Sequence, residues 1–414
     1  MKRTNHLSFL MLMSVFSIML ACCTFSETAI PRDSGGFSDA TSATESYDGG
    51  GAGSEGEIDQ QTYAGKVTAG EWRDLDNWLF WSELMLAQND SVNKYRDYAD
   101  HWQLFTNNRV AVRVFDETGV PLTDVQVQLV QEIENGDMYV IWTARTDNVG
   151  LANLWAGVQQ IEEAHDEASL KIVINDVVQQ DAVRITHWGE QVALNEFVCD
   201  LQKERNVVDI AFFVDATGSM ADEIQFLQAD MKTIINTVSN RYSNVNMRTA
   251  ALFYRDEGDD YLTRVSDFTN NPATTSDFIN KQSADGGGDY PEAVHTALEV
   301  GLQKLSWSED NAVRLVFMFL DAPPHYNETV LQSLHNTIPQ YAAQGIRIIP
   351  IASSGVDKNT EFFLRFMSIL TDATYVFITN DSGIGNDHIQ ATVGEYEVEL
   401  LNELIIRLIE TYIQ

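Results

Sequence analysis

The chain has 414 residues, 44% hydrophobic and 21% charged, which is material for two or three folded domains with ample core. Its 61 acidic side chains outnumber 26 basic ones, giving a formal net charge of −35. That surface lacks the clustered Lys and Arg needed to bind phosphates, so nucleic acid is excluded as a partner.

Lys2 and Arg3 precede an uncharged run from Leu7 to Leu20, then Ala21-Cys22-Cys23. The run is too short for a comfortable membrane span, and residues 1–22 read as a secretory signal. Met19-Leu20-Ala21-Cys22 resembles the lipobox of bacterial lipoproteins. That resemblance implies lipidation at Cys22, with Cys23 the alternative, and a lipid anchor in the cell envelope (outer membrane or cell surface); plain secretion is the competing expectation. Residues 23–62 are rich in Ser, Thr, Gly, Asp and Glu and read as an acidic tether too polar to fold.

Residues 63–105 carry Trp72, Leu75, Trp78, Leu79, Trp81, Leu84 and Met85 at roughly helical spacing, which predicts a helical lead-in with its Trp stripe in the core. From 106 to 203 the period changes to two: Val110, Val112 and Val114, then Val125, Val127 and Leu129, then 138–144, 151–155, 170–174, 183–186 and 196–199. Short strands separated by turn residues predict a β-sandwich. Asp116-x-x-Gly119-x-Pro121-Leu122, followed by Thr146-Asp147-x-x-Gly150, is similar to the carboxypeptidase regulatory-like, transthyretin-type sandwich, which implies no chemistry of its own. Cys199, the one cysteine left in the folded part, reads as a buried core thiol rather than a disulfide partner.

From 204 to 414 strands alternate with helices, predicting an α/β domain with a doubly wound, mostly parallel sheet behind the small sandwich. Val207 to Val214 is apolar at every position but Asp209, as a doubly buried strand should be. It stops at Asp215, and Thr217 and Ser219 follow at alternate positions before a helix face of Ile224, Leu227, Met231, Ile234, Ile235 and Val238. Three hard oxygens on one loop beyond a strand's carboxyl end suit a cation such as Mg2+. The bland alternative makes Ser219 a helix cap, with Asp222 completing a capping box. A second apolar strand, Val313 to Leu320, also ends in an aspartate, Asp321. Between them a helix from 276 to 305 is interrupted by Asp285-Gly286-Gly287-Gly288-Asp289-Tyr290-Pro291-Glu292.

These three loops together resemble a von Willebrand factor type A domain with its metal-ion-dependent adhesion site. The family pattern is Asp-x-Ser-x-Ser, then a threonine or aspartate on a second loop and an aspartate on a third. Asp215, Ser219 and Asp321 match, Thr217 keeps the hydroxyl of the first serine, and Gly288 stands where the threonine is expected, leaving Asp289 as second-loop ligand or as a helix cap with Glu292 three residues on. The resemblance implies a divalent cation, Mg2+ first and Mn2+ or Ca2+ after it, whose open position takes a carboxylate from a protein partner. It implies a binding module and not an enzyme. A metal-dependent hydrolase on the same scaffold is the alternative, although no phosphate-binding glycine loop and no nucleophile elbow is present. Asp256, Asp259 and Asp260 read as exposed loop acidity, with a second cation site as the alternative, and His325 as a solvent-exposed loop histidine.

Overall fold

The computed structural model describes residues 66–87, 95–133, 136–159, 167–201, 207–242, 245–382 and 387–414. The expected signal, the lipidation candidate Cys22 and the expected tether lie outside the described residues.

The chain opens with a strand, β1 (Thr68–Trp72), followed by helices α1 (Trp78–Leu86) and α2 (Tyr95–Trp102). Seven strands follow: β2 (Arg109–Phe115), β3 (Gln126–Glu132), β4 (Met138–Arg145), β5 (Leu151–Trp155), β6 (Leu170–Ile174), β7 (Val177–Val178) and β8 (Leu194–Val198). They form a three-stranded sheet, β5-β2-β8, and a four-stranded sheet, β4-β3-β6-β7. The two Asp-x-x-Gly turns act as the motif suggests: Asp116 Oδ1 accepts from the backbone of Thr118 and Val120, and Asp147 Oδ1 from Val149 and Leu151. Residues 183–186 form no strand; Thr186 makes a single bridge to Arg109. Cys199 is half-buried rather than core, at the sandwich edge.

The α/β body comprises β9 (Val207–Asp215), α3 (Ala221–Arg241), β10 (Asn246–Tyr254), β11 (Thr263–Thr269), α4 (Pro272–Ile279), α5 (Val294–Lys304), β12 (Ala312–Leu320), α6 (Glu328–Ala343), β13 (Ile346–Ala352), α7 (Lys358–Leu370), β14 (Tyr375–Ile378), β15 (Glu399–Leu400) and α8 (Leu401–Ile413). Its sheet runs β11-β10-β9-β12-β13-β14-β1-β15. The five strands from β10 to β14 are parallel, as the alternation of strand and helix predicts. Successive residues of β9 enter opposite cores: Ala211 and Phe213 one face, Ile210, Phe212 and Val214 the other. The α3 stripe from Ile224 to Val238 is buried on the second face, each side chain contributing about 1.5–3 kcal/mol.

The lead-in differs from expectation. Instead of a separate helical segment, its first strand β1 extends the sheet, antiparallel to β14 with Ala69 opposite Ile378 and Trp72 opposite Tyr375. Leu75, Trp78, Trp81, Leu84 and Met85 are core, as the stripe predicts, whereas Trp72 is only half-buried on β1 and Leu79 is exposed; Trp102 on α2 joins the same core. That core is shared: side chains of α1, α2, the sandwich, α6 and α7 form one continuous cluster. Buried polar contacts reinforce the seam. Arg365 donates to both oxygens of Asp74 at 2.9 and 2.5 Å, Arg314 to both oxygens of Asp124 at 2.9 and 3.2 Å, and Trp102 Nε1 to Asn359 at 2.9 Å. The sandwich and lead-in are therefore welded to the α/β body. Among the described residues no helix is long and apolar enough to cross a membrane.

Candidate metal centre

β9 and β12 are adjacent and parallel, and the strand order reverses between them, so their carboxyl ends open at the switch point where ligands of open α/β sheets bind. Asp215 ends β9 fully buried, and its Oδ1 accepts from the backbone N–H of Thr217 at 2.9 Å and from Thr217 Oγ1 at 2.7 Å. Ser219 Oγ lies 3.5 Å from Thr217 Oγ1 and is exposed to the cleft. Ser219 caps nothing: α3 begins after Met220, and no side chain caps it. Asp321, one residue past β12, is 5% exposed, with the Ser219 hydroxyl near enough to favour its charged form.

The second loop departs from its expected form. Residues 280–293 are not helical, α5 starts at Val294, and its cap position is Ala293 with no side-chain bond. Asp289 is thus not a helix cap. It stands exposed on the rim of the cleft. The carboxylate that turns inward is Glu292, 3% exposed, beside Thr217. Its backbone N–H donates to Pro323 O at 2.9 Å, and it bridges Pro324, which docks the second loop onto the third. Sequence reasoning passed over Glu292 because its spacing from Asp289 matched a capping box. The signal that could have found it is a glutamate next to a proline at the end of a glycine run.

Gly286 and Gly287 have φ of +81° and +76°, a region glycine enters freely. A Cβ on Gly286 would lie 2.4 Å from Asp259 Oδ1, so a larger residue would displace that carboxylate. The Asp259 carboxylate in turn accepts from Gly287 N at 3.2 and 3.1 Å, Gly218 N donates to Gly286 O at 3.2 Å, and Arg255 braces Ala216 O and Ser283 O. Asp259 is therefore a loop clamp rather than loose surface charge. Asp256 is buried and contacts His325 Nε2 at 2.6 Å, so this histidine is partnered rather than free in solvent.

The electrostatics are those of an uncompensated anionic cleft. Burial, then the neighbouring Asp321, pushes Asp215 up to about 7. Burial followed by Asp215, Asp256, Asp321 and Asp259 pushes Glu292 up to about 9. Asp321 is raised by burial, and Glu223, which takes Ser354 behind the cleft, is raised by burial to about 7. Asp215 Oδ2, Asp321 Oδ1 and Glu292 Oε2 are buried with no hydrogen-bond partner. Buried polar atoms are ordinarily satisfied, so orphan carboxylate oxygens on Glu292 and Asp321, which line one cleft of about 390 Å3, and on Asp215 behind Thr217 fit a hard cation. Among the described residues no three His, Cys, Asp or Glu side chains are gathered tightly enough to hold an ion alone. The hydroxyls of Thr217 and Ser219 would complete the donor set.

A family model described as the von Willebrand factor A domain matches residues 209–372, spanning the first and third loops and everything between. This segment is a von Willebrand factor A (VWA) domain. Domains of this family commonly mediate metal-dependent protein interaction. Two relatives match part of the chain: a putative ariadne-like RING finger protein of Acanthamoeba polyphaga mimivirus, 28% identical over 194 residues (42% of this chain, 19% of the relative), and the alpha-protein kinase vwkA of Dictyostelium discoideum, 25% identical over 164 residues (39% and 25%). The chain spans about a fifth to a quarter of the length of these relatives. A solved structure, the conserved hypothetical protein BatB of Bacteroides thetaiotaomicron, aligns over 50% of this chain and 98% of its own with 13% identity and a TM-score of 0.34.

Proposed function

We propose that the VWA domain binds a divalent cation, Mg2+ first, and through it an acidic group on a protein partner, and that the protein works in the cell envelope on a lipid anchor at Cys22. The supporting observation is the set of three buried, partnerless carboxylate oxygens on Asp215, Glu292 and Asp321 beside the hydroxyls of Thr217 and Ser219. Asp215, Thr217, Ser219 and Asp321 would hold the ion, directly or through water, and Glu292 takes the second-loop role in preference to the exposed Asp289. Neutral hydroxyl donors leave most of the ion's charge available, so a foreign carboxylate would be drawn to its open position. The module binds rather than turns over substrate. The competing hydrolase reading has one observation in its favour, the 2.6 Å His325–Asp256 contact, with Asp256 electrostatically coupled to Glu292.

The test is calorimetry with Mg2+, Mn2+ and Ca2+, together with partner capture from envelope extracts with and without chelator. The expected result is saturable binding, lost in Asp215→Ala and unchanged in Asp289→Asn, with capture abolished by chelator. Equal binding by Asp215→Ala would sink the proposal. Metal-dependent hydrolysis of a phosphoester or peptide panel, lost in His325→Gln, would put the hydrolase in its place.

A further inference from the structure

The metal cleft carries more negative charge than one divalent ion neutralises, a count that rests on the cation reading above. Asp215, Glu292 and Asp321 as carboxylates set three negative charges against two positive ones, so the loaded centre keeps a net charge of about −1. Thr217 and Ser219 add none, and Asp289, exposed on the rim, adds one more. Among the described residues no Lys, Arg or His lines the cleft. Cations of the surrounding loops are engaged elsewhere, Arg255 with Ala216 O and Ser283 O, and His325 with Asp256. A foreign carboxylate is drawn to the ion at contact distance, yet it must approach past a rim of its own sign.

That rim also offers a place for a positive group. Asp289 has no hydrogen bond or ion pair to any described residue. Tyr290 beside it is 42% exposed and lines the same cleft. Its hydroxyl is pinned: it accepts from Asp357 N at 3.1 Å, donates to Gly355 O at 3.3 Å and lies 3.1 Å from Thr360 Oγ1. With the polar tip engaged, the ring is what remains exposed, and it is held in one place over the start of α7. Tyr290 stacks on no described cation or ring. An unpaired carboxylate beside a fixed, open aromatic face suits a guanidinium, which pairs through its N–H fork and stacks through its plane. Gly286, Gly287 and Gly288, just before them, keep the strip free of side chains, so a partner backbone can lie close.

We infer that the partner segment read by this cleft carries an arginine near its acidic residue: the carboxylate completes the ion's shell while the guanidinium pairs with Asp289 and stacks on Tyr290. A carboxylate flanked by further acids is repelled at the rim. Asp289 and Tyr290 are thus specificity determinants and not ligands of the ion.

The experiment first titrates the full chain with Mg2+ by calorimetry. The Mg2+-loaded protein is then titrated with short capped peptides holding one glutamate and one arginine, separated by none to three glycines. Comparison peptides carry glutamine, lysine or glutamate in place of the arginine, or glutamine in place of the glutamate. The best-spaced parent peptide should bind about fivefold tighter than its arginine-free glutamine version, the worth of an exposed ion pair with stacking. Salt at roughly 1 M should shrink that preference. Asp289→Asn should weaken the arginine peptide and strengthen the arginine-free one, while Mg2+ still saturates the variant. Asp289→Lys should invert the order in favour of the peptide with a second glutamate. Tyr290→Leu should erase the advantage of arginine over lysine. The inference fails if arginine-free peptides bind the loaded parent as tightly, if no peptide of the set binds, or if Asp289→Lys keeps the parent's order. Those failures with Mg2+ bound leave the cation reading standing; absence of Mg2+ binding overturns both.

Discussion

Cation binding should expel protons, and Glu292 should be their main source. In the metal-free domain Glu292 titrates near 9 and Asp215 near 7. At pH 7.5 those values leave Glu292 almost fully protonated and Asp215, beside the like-charged Asp321, mostly ionised. An ion that takes both carboxylates as anions must then release about one proton, most of it from Glu292. The assay is calorimetric titration of Mg2+ or Mn2+ in buffers of differing ionisation enthalpy, where the slope of observed heat against buffer heat counts protons. Apparent affinity should rise about tenfold per unit between pH 6.5 and 8.5, since each released proton contributes one decade. Glu292→Gln imitates the protonated form, so its metal-free stability at pH 7.5 should match the parent's. Its proton release should fall to a few tenths, its pH slope should flatten, and its affinity should drop. Release of no protons by the parent, or the same release by parent and variant, would refute the placing of Glu292 in the cation's shell.

The same carboxylates set the pH dependence of stability. Their folded values lie above the unfolded range near 4, so the folded protein holds protons that the unfolded chain gives up. Without metal, melting temperature should therefore fall as pH rises from about 5 to 9, and saturating Mg2+ should remove that decline. A rising metal-free curve over that window would contradict the assignment. Asp74→Asn leaves the fully buried Arg365 with only the more distant Glu361, at 4.0 Å, as counter-ion and should cost about 3 kcal/mol in guanidinium unfolding; a loss under ~1 kcal/mol would show that the seam relaxes around the charge. A fragment beginning at residue 204 lacks β1 and uncovers the shared core of α6 and α7, so it should bind hydrophobic dye and aggregate, whereas the chain from residue 63 should unfold in one cooperative step.

The sequence by itself determined what is local. Asp215, Thr217 and Ser219 stand within five residues at the end of an apolar strand, and Asp321 ends another such strand, so strand burial and loop placement follow from short-range pattern. The doubly wound sheet, the Asp-x-x-Gly turns of the sandwich and the Trp core were legible for the same reason. Only the tertiary structure decided matters that join distant segments. Which acidic side chain of the second loop turns inward depends on the docking of Glu292 against Pro323 and Pro324, about thirty residues on, and nothing near Asp289 announces it. Strand β1, Thr-Ala-Gly-Glu-Trp, carries no apolar run of its own, and it is a strand because β14, some three hundred residues later, offers it an edge. The His325–Asp256 contact likewise arises from surfaces that meet only after folding. Chain pattern reports the environment a residue makes for its neighbours; partners supplied from afar are fixed by packing.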